Sequence, residues 1–271
     1  MNTLIDGSPT HDVPADDRGL LFGETVFETM AFCDGRAPLW DLHMARLTRG
    51  AQAIGLEVPD SGLLWRECGR LLKAEQARRA VIRITLTGGS GGQGYWPPTT
   101  PGTRRIVQRR PWPATIEGQR RDGLAVVISR FRLGPVWPLS GLKHGNRLLQ
   151  TMVARECRER GAEEAVLLDD QHQLCEAVSS NLVLVTEAGV LTPPRAEVVG
   201  VGLSWLREYS GAGLAVGSVG VEQLETLSEV LVINSVAGIR PVISVEDKPF
   251  PIGPVCRRLQ SIWQKELFPC A

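Results

Sequence analysis

The stretch that decides how this chain is interpreted is Gly141-Leu142-Lys143-His144-Gly145-Asn146-Arg147-Leu148. Small and apolar residues precede Lys143, and a predicted helix follows it. An amine in such a setting can be desolvated and have its pKa lowered, which suits a lysine that forms an imine with an aldehyde. The alternative is a solvated lysine in front of a helix, because most lysines lie at protein surfaces. Residue chemistry alone leaves both interpretations open.

The chain has only four lysines, and the other three have the surroundings of surface charges. Lys73 lies on a predicted amphipathic helix, Lys248 lies in a predicted turn, and Lys265 lies in a predicted terminal helix beside other polar residues. Lys143 is therefore the candidate for a covalent role.

Length and composition are those of a globular protein, and the charge balance fits a small-molecule substrate better than a nucleic acid or a membrane surface. The 271 residues are 43% hydrophobic, and 30 basic residues balance 30 acidic ones. No run of like charge occurs, which predicts neither a nucleic-acid partner nor an anionic membrane partner. The first residues show no signal peptide and no apolar stretch approaches the roughly 20 residues of a membrane span, so we expect a cytoplasmic protein. The six cysteines and four histidines are dispersed, which predicts reduced thiols and no metal site.

The first half of the chain has the signals of a small α/β domain. Val26–Cys33 is a predicted strand, and Asp34-Gly35 suits a tight turn into a second hairpin arm over Arg36–Trp40. We expect a helix next, capped by Asp41 and ended by Gly55. Its apolar face contains Leu42, Ala45, Leu47, Ala51 and Ile54, and a separate stripe contains His43, Arg46 and Arg49. Further predicted elements are a helix over residues 61–77, strands over Arg79–Thr87 and Arg104–Arg109, and a loop over residues 88–103.

Pro111-Trp112-Pro113 and the polar residues up to Asp122 form the best linker candidate, so we expect a domain boundary near residue 115. It separates a smaller N-terminal α/β domain, residues 1–114, from a larger C-terminal domain, residues 115–271, that carries Lys143. The expected class is α/β or α+β, with ligands bound at a cleft between the two domains. Predicted elements of the second domain are a helix over Asn146–Arg160 and strands over Leu124–Ser129, Ala165–Leu168, Asn181–Val185 and Val230–Ile233.

The loop Gly89-Ser90-Gly91-Gly92-Gln93-Gly94 follows a predicted strand and satisfies the G-x-G-x-x-G pattern of dinucleotide sites. That site needs a helix that opens at the last glycine and faces the pyrophosphate. Here Tyr95-Trp96-Pro97-Pro98 follows at once, which is not a helix start. The remaining interpretations are a flexible surface loop and a substrate-facing loop.

Four stretches of the chain follow, in order and spacing, a known family pattern: Asp17–Thr29, Gly89–Tyr95, Gly141–Leu148 and Cys175–Leu182. They resemble the aminodeoxychorismate lyases over nearly the whole chain. These lyases are fold-type IV pyridoxal-phosphate enzymes, together with the branched-chain and D-amino-acid aminotransferases. The resemblance implies a two-domain fold like that of D-amino-acid aminotransferase, pyridoxal 5'-phosphate in the interdomain cleft, and a homodimer.

The resemblance also implies roles for individual residues. Lys143 is the lysine that binds the cofactor aldehyde, and Arg46 grips the cofactor phosphate, for which a planar guanidinium is suited. Glu176 faces the pyridine nitrogen and keeps it protonated. Without the resemblance, Arg46 is interpreted as an exposed helix arginine and Glu176 as a turn residue. Further phosphate contacts are expected from Leu203, Ser204, Asn234 and Ser235, the first two at a helix start.

The implied reaction is elimination of pyruvate from 4-amino-4-deoxychorismate, which leaves 4-aminobenzoate for folate synthesis. Expected substrate contacts are Tyr95, Gln93 and Arg132, although Gly88 and Gln93 stand where many relatives have arginines that suit the two substrate carboxylates. A fold-type IV aminotransferase acting on D- or branched-chain amino acids is the alternative. A pyridoxal-phosphate-binding or metabolite-binding protein without catalysis is a third hypothesis.

Overall fold

The computed structural model describes residues 2–74, 78–100 and 102–268, and their contacts divide the chain into two compact units. The first unit comprises the chain up to Trp112 together with Leu142–Asn146. The second unit comprises Pro113–Gly141 and the chain from Arg147 onward. The segment that carries Lys143 therefore lies in the first unit and not in the C-terminal domain, where we expected it.

An antiparallel sheet of four strands organises the first unit. The strands are β1 (Thr3–Ile5), β2 (Thr25–Cys33), β3 (Arg79–Thr87) and β4 (Arg104–Pro111), in the spatial order β1-β4-β3-β2. Apolar residues on one face of this sheet are buried, because alternate residues of a strand point to the same face. They pack with α2 and α3, described below, into a core that includes Leu4, Val26, Met30, Phe32, Leu47, Ala51, Leu64, Leu71, Ile82, Ile84 and Leu86.

The turn after β2 is present, but the second hairpin arm that the sequence predicted is not. Asp34 and Gly35 have φ angles of 47° and 75°, which a tight hairpin turn requires. Arg36 makes one bridge with Cys33, whereas β2 pairs along its whole length with β3. Pro38 has no amide hydrogen with which to continue a ladder, and the chain passes into helix α2 (Trp40–Ala53).

Helix α2 begins and ends close to the predicted residues. Its N-cap is Leu39, so the prediction that Asp41 caps the helix was wrong; Asp41 lies in the first turn, where its carboxylate favours the helix dipole. Gly55, with a φ of 74°, follows the helix end as predicted. The buried residues of α2 are His43, Met44, Arg46, Leu47, Gly50 and Ala51, so two residues of the stripe that we had placed apart from the apolar face are buried as well.

Two further helices complete the first unit. Helix α1 (Arg18–Phe22) begins at an Asp17 side chain that accepts a hydrogen bond from the Gly19 amide. Helix α3 (Ser61–Lys73) is capped in the same way by Asp60. The sequence predicted a helix over residues 61–77, of which 75–77 lie outside the described residues.

The free edge of β2 receives the short segment around Lys143. The Phe27 amide donates to the Lys143 carbonyl over 2.9 Å, and the Gly145 amide donates to the Thr25 carbonyl over 2.9 Å. A Cβ atom at Gly145 would lie 2.2 Å from Cγ2 of Thr25, so only glycine fits this close approach. No local pattern predicts this pairing, because five residues that join a distant strand edge have no periodicity of their own.

The second unit is built on a sheet of nine strands. The path of neighbouring strands is β10-β9-β8-β11-β12-β5-β6-β7, β13 pairs with β12, and a pairing of β7 with β8 closes six of the strands into a ring. Each of the four strands that the sequence predicted here is confirmed, with ends that differ by up to three residues. The strands are β5 (Leu124–Arg132), β6 (Glu164–Leu168), β7 (Leu174–Ala177), β8 (Asn181–Thr186), β9 (Gly189–Thr192), β10 (Ala215–Val216), β11 (Glu229–Asn234), β12 (Gly238–Val245) and β13 (Lys248–Pro249).

Helices of the second unit connect and cover these strands. A helix joins the parallel strands β5 and β6, as the sequence predicted for residues 146–160, and another lies within the expected linker. The α-helices are α4 (Ile116–Asp122), α5 (Leu148–Glu159), α6 (Val201–Glu208) and α7 (Pro254–Leu267), and Val221–Thr226 is a 3-10 helix. Within the described part of the chain, no helix has the length and apolar character needed to cross a membrane.

Candidate functional site

Lys143 is held by the backbone pairing at the edge of β2. Its side chain is half-buried, and its Nζ lies 4.7 Å from the centre of the Phe27 ring. An ammonium at this distance from an aromatic ring is attracted to the ring face. The structure therefore fixes both the backbone and the direction of the amine that the sequence singled out.

Arg46 is not the exposed helix arginine that its position alone indicated. Its Nε and one terminal nitrogen donate to the two carboxylate oxygens of Glu28 over 2.7 and 2.6 Å, and His43 Nδ1 lies 2.6 Å from the same carboxylate. All three side chains are buried. The fork of two hydrogen bonds fixes the plane of the guanidinium.

Burial and charge act in opposite directions on the pKa values of Glu28 and His43. Burial acts to raise the pKa of Glu28, but the charges and hydrogen bonds of Arg46 and His43 outweigh it and hold that pKa at about 2. Burial lowers the pKa of His43, which favours a neutral ring. Because a carboxylate only accepts, the proton of the neutral ring lies on Nδ1. The buried Nε2 is then an acceptor, and it has no hydrogen-bond partner within the described residues.

Arg83 contacts the same aromatic ring as Lys143, and the sequence analysis did not single it out. Its guanidinium carbon lies 3.7 Å from the centre of the same Phe27 ring, and its Nε donates to Thr85 Oγ1 over 3.2 Å. The register pairs Phe27 with Thr85 and Thr29 with Arg83, which places these residues on one face of the sheet, opposite the core. Burial, with a smaller contribution from the charge of Arg110, lowers the pKa of Arg83 to about 10. The available signal was the alternation Arg83-x-Thr85-x-Thr87, which we had used only to predict a strand.

Glu176 lies in the second unit, on β7, and is almost fully buried. The Val198 amide donates to its Oε2 over 3.4 Å. Burial raises the pKa of this carboxyl to about 7. A buried carboxyl whose charge is costly gains most from a positively charged ligand group, and this distinguishes Glu176 from the turn residue that its position alone indicated.

The start of α6 is the helix N-terminus on which the sequence placed Leu203 and Ser204. The N-cap is Gly200 and makes no side-chain cap. Its amide donates to Asn181 Oδ1 over 2.8 Å. The Ser204 amide already donates to the Gly200 carbonyl over 2.9 Å, so the amides of the first turn precede it. Asn181 was not among the expected site residues, although Ser180-Asn181 after Glu176 belonged to the family pattern.

Asn234 shapes the turn that follows β11. We call residues 234–237 the phosphate turn, after the role that the family resemblance predicts for Asn234 and Ser235. Asn234 Oδ1 accepts hydrogen bonds from the amides of Val236 and Ala237 over 3.0 and 2.7 Å. Its Nδ2 donates to Ser180 Oγ over 3.2 Å. The Asn234 side chain is thus occupied in holding the turn, and Ser235, half-buried, lies within it.

We call residues 89–96 the glycine loop, and hydrogen bonds from the side chain of Arg18 hold its backbone. This buried guanidinium donates to the carbonyls of Gly94 and Tyr95 over 3.0 and 3.1 Å. No helix opens at Gly94, as the sequence predicted. Gln93 is exposed, and Tyr95 is 86% exposed with its ring 5.3 Å from that of Phe22.

Arg132, at the end of β5, is exposed, and one of its terminal nitrogens donates to the Ser129 carbonyl of its own strand. Its use as a substrate contact rests on the resemblance alone. Arg83 is the better supported guanidinium, since it shares the Phe27 ring with Lys143.

Comparison with known proteins agrees with these features. The family model described as amino-transferase class IV matches residues 25–245. An aminodeoxychorismate lyase of Vibrio harveyi is 30% identical, over 94% of this chain and 97% of that protein. A D-alanine aminotransferase of Bacillus licheniformis is 24% identical, over 94% of this chain and 92% of that protein.

Solved structures give the same result. The crystal structure of 4-amino-4-deoxychorismate lyase from Pseudomonas aeruginosa superposes with a TM-score of 0.88 at 33% identity, covering 98% of this chain and 99% of that one. The branched-chain amino acid aminotransferase of Escherichia coli gives a TM-score of 0.84 at 25% identity, covering 96% of this chain and 92% of that one. The expected fold-type IV architecture is thereby confirmed, and the chain belongs to the class IV aminotransferase family.

Proposed function

We propose that this protein is a pyridoxal-phosphate enzyme that eliminates pyruvate from 4-amino-4-deoxychorismate and releases 4-aminobenzoate. The observation that carries the proposal is the similarity, over nearly the full length of both chains, to the lyases of Vibrio harveyi and Pseudomonas aeruginosa. The position of Lys143 on the edge of β2 supports it, since a covalent lysine must be fixed in place.

The residues present fit the cofactor. Lys143 offers the amine for its aldehyde carbon, and Glu176, whose carboxyl charge is costly when buried alone, offers a partner for a protonated ring nitrogen. The start of α6 offers backbone amides to a phosphate, because its N-cap supplies no side-chain acceptor to them. Arg46 adds positive charge, and its role in phosphate binding stays a prediction, as do those of Leu203, Ser204, Asn234 and Ser235.

The proposed reaction divides the work between cofactor and protein. Bound pyridoxal phosphate supplies an electron-withdrawing ring that accepts the charge left when a proton is removed beside the substrate nitrogen. Lys143 Nζ would hold the cofactor aldehyde and, when substrate is bound, would take the proton from C4 of the substrate. The C3–O bond then breaks, the enolpyruvyl group leaves and takes up a proton to become pyruvate, and the substrate ring becomes aromatic. This aromatisation favours elimination over the reprotonation that a transaminase needs.

We propose Arg83 as a residue that binds a substrate carboxylate. It lies against the Phe27 ring that Lys143 also contacts. Arg110 is near enough to influence its pKa, and the register pairs Arg110 with Val81, which places it on the same sheet face. Two guanidiniums on one face match the two carboxylates of the substrate. Tyr95, Gln93 and Arg132 stay predictions.

The aminotransferase alternative has weaker support. The D-alanine aminotransferase of Bacillus licheniformis is 24% identical and the branched-chain enzyme of Escherichia coli 25% identical in the structural superposition, both below the 30% and 33% of the two lyases. The homodimer, the cleft between the domains and the cytoplasmic location stay predictions. Exposed apolar side chains of α1 and the glycine loop are available for self-association, namely Leu20, Leu21, Phe22, Tyr95 and Trp96.

Purified protein loaded with pyridoxal phosphate should convert enzymatically generated 4-amino-4-deoxychorismate into equal amounts of pyruvate and 4-aminobenzoate without a 2-oxo acid. Coupled detection of pyruvate and chromatography of the aromatic product measure the two. Lys143→Ala should abolish turnover, and Lys73→Ala is the matched control that should keep it. Turnover that depends on a 2-oxo acid would establish aminotransferase activity instead. The absence of a reaction with any amine substrate would favour a binding protein without catalysis.

Arg83→Leu should raise the KM for the substrate by about 10- to 100-fold, the range for loss of a charge-assisted hydrogen bond, while kcat changes less. Steady-state kinetics measure both. Arg79→Leu is the control, since Arg79 lies on the same strand and face, four residues away. An unchanged KM in Arg83→Leu, or an equal rise in the control, would remove Arg83 from the substrate site.

Glu176 should make the apoprotein less stable as the pH rises. Its folded-state pKa of about 7 lies above the ordinary 4.5, so the folded state binds more protons between these values, and stability falls as the pH passes from 4.5 to 7. Glu176→Gln stays neutral, so its free energy of unfolding relative to wild type should grow over this range by about 3 kcal/mol. Urea unfolding of both apoproteins at several pH values measures this, and a difference independent of pH would contradict it.

A further inference from the structure

One tight turn between β7 and β8 contacts several elements of the proposed cofactor site in the second unit. The turn comprises residues 177–181, and the Ala177 amide donates to the Ser180 carbonyl over 2.7 Å. Glu176 immediately precedes it, and Asn181 ends it. We call this segment the serine turn, after Ser179 and Ser180.

Ser180 Oγ makes three hydrogen bonds to other side chains. It accepts from a terminal nitrogen of Arg240 over 2.8 Å and from Asn234 Nδ2 over 3.2 Å. It also donates to Glu164 Oε2 over 3.5 Å. A serine hydroxyl has one donor and two acceptor positions, so these three contacts use all of them.

The phosphate turn and the start of α6, which are the two proposed phosphate contacts, are both hydrogen-bonded to the serine turn. Asn234, which holds the phosphate turn through the amides of Val236 and Ala237, is itself held by Ser180 Oγ and by the Ser179 carbonyl over 3.4 Å. Asn181 holds the start of α6, because its Oδ1 accepts from the Gly200 amide and its Nδ2 donates to the Val198 carbonyl over 2.9 Å. A shift of the serine turn would therefore move both groups of phosphate donors.

A buried ion pair lies behind the turn. Arg240 and Glu164 are 6% and 4% exposed, and their charged atoms are 3.7 Å apart. Arg240 also donates to Gln119 Oε1 over 3.0 Å, and Ser179 Oγ donates to Glu164 Oε2 over 3.2 Å. The Arg240 Nε is buried and has no hydrogen-bond partner within the ranges that the structure describes.

A buried ion pair of this kind contributes little to the free energy of folding. Burial of two charges costs about as much as their attraction returns, and a buried donor without an acceptor adds to the cost. The pair does fix the serine hydroxyls from the side of the protein core. Its geometric consequence is that Ser180 is oriented toward Asn234.

We propose that Ser180, oriented by Glu164 and Arg240, is the positioning residue of the phosphate site, and that these three side chains set the affinity of the protein for the phosphate of its cofactor. The inference rests on the proposed pyridoxal-phosphate function. None of the three residues touches the reacting atoms; each acts through Asn234 and the phosphate turn.

The test compares pyridoxal phosphate with pyridoxal, which has the same aldehyde and ring but no phosphate. Dissociation constants of both are measured on apoprotein by absorbance titration. Ser180→Ala should weaken binding of pyridoxal phosphate by about tenfold, the effect of losing one hydrogen bond to a charged network, and leave that of pyridoxal unchanged. Ser180→Thr, which keeps the hydroxyl, should retain the preference for the phosphorylated compound.

Ser129→Ala is the matched control. Ser129 is likewise buried and donates to a buried carboxylate, Glu156, over 2.8 Å. It also accepts hydrogen bonds from the Phe131 amide and from Arg132, and none of these three partners belongs to the serine turn or the phosphate turn. Loss of the Ser129 hydroxyl should leave the ratio of the two dissociation constants at the wild-type value. A merely structural role of Ser180 would lower the affinity for both compounds equally, or change melting temperature alone, and would overturn the inference.

Failure of the inference and failure of the proposed function give different results. If wild-type protein binds neither pyridoxal nor pyridoxal phosphate, the proposed function and the inference are both wrong. If wild type binds both compounds and Ser180→Ala keeps the wild-type ratio of the two dissociation constants, only the positioning role of Ser180 is wrong. Should Ser180→Ala not fold, Arg240→Lys, which keeps the charge but not the fork of donors, carries the test; it is expected to reduce the ratio, and an unchanged ratio would overturn the inference.

Discussion

The structure of the site depends on one backbone interaction, the pairing of the Lys143 segment with the free edge of β2. Two hydrogen bonds of 2.9 Å, to Phe27 and Thr25, bring a lysine that is distant in sequence onto the sheet of the first unit. Gly145 permits the close approach, because any side chain there would clash with Thr25. Phe27 then serves two purposes, since its amide binds the segment and its ring faces both Lys143 and Arg83.

Buried charge is distributed unequally between the two units, and this has chemical consequences. In the first unit Glu28 is held ionised, with a pKa of about 2, by Arg46 and His43. In the second unit burial raises the pKa of Glu176 to about 7. The first carboxylate has the guanidinium of Arg46 in place and acts as a structural anchor for it. We propose that the second binds a cationic ligand group, namely the protonated pyridine nitrogen of the cofactor.

Local sequence signals predicted the regular elements well and the site only in part. Strand β3 over Arg79–Thr87 was predicted with its observed bounds, because its alternation is regular. The prediction of a hairpin arm after Asp34-Gly35 was wrong, because a turn signal does not indicate which strand will pair with β2. Arg83 was missed for a related reason, as alternation shows that a residue leaves the core but not what its face contacts. Arg46 was assigned a function only through resemblance, because a helical stripe of charged residues is usually solvated.

The most direct test of the account is reduction of the protein with borohydride in the presence of pyridoxal phosphate, followed by mass spectrometry of its peptides. Reduction converts the bond between a lysine amine and the aldehyde carbon into a stable secondary amine. The account predicts a single modified residue, Lys143. Modification of Lys73, Lys248 or Lys265 in its place, or the absence of any stable adduct, would contradict it.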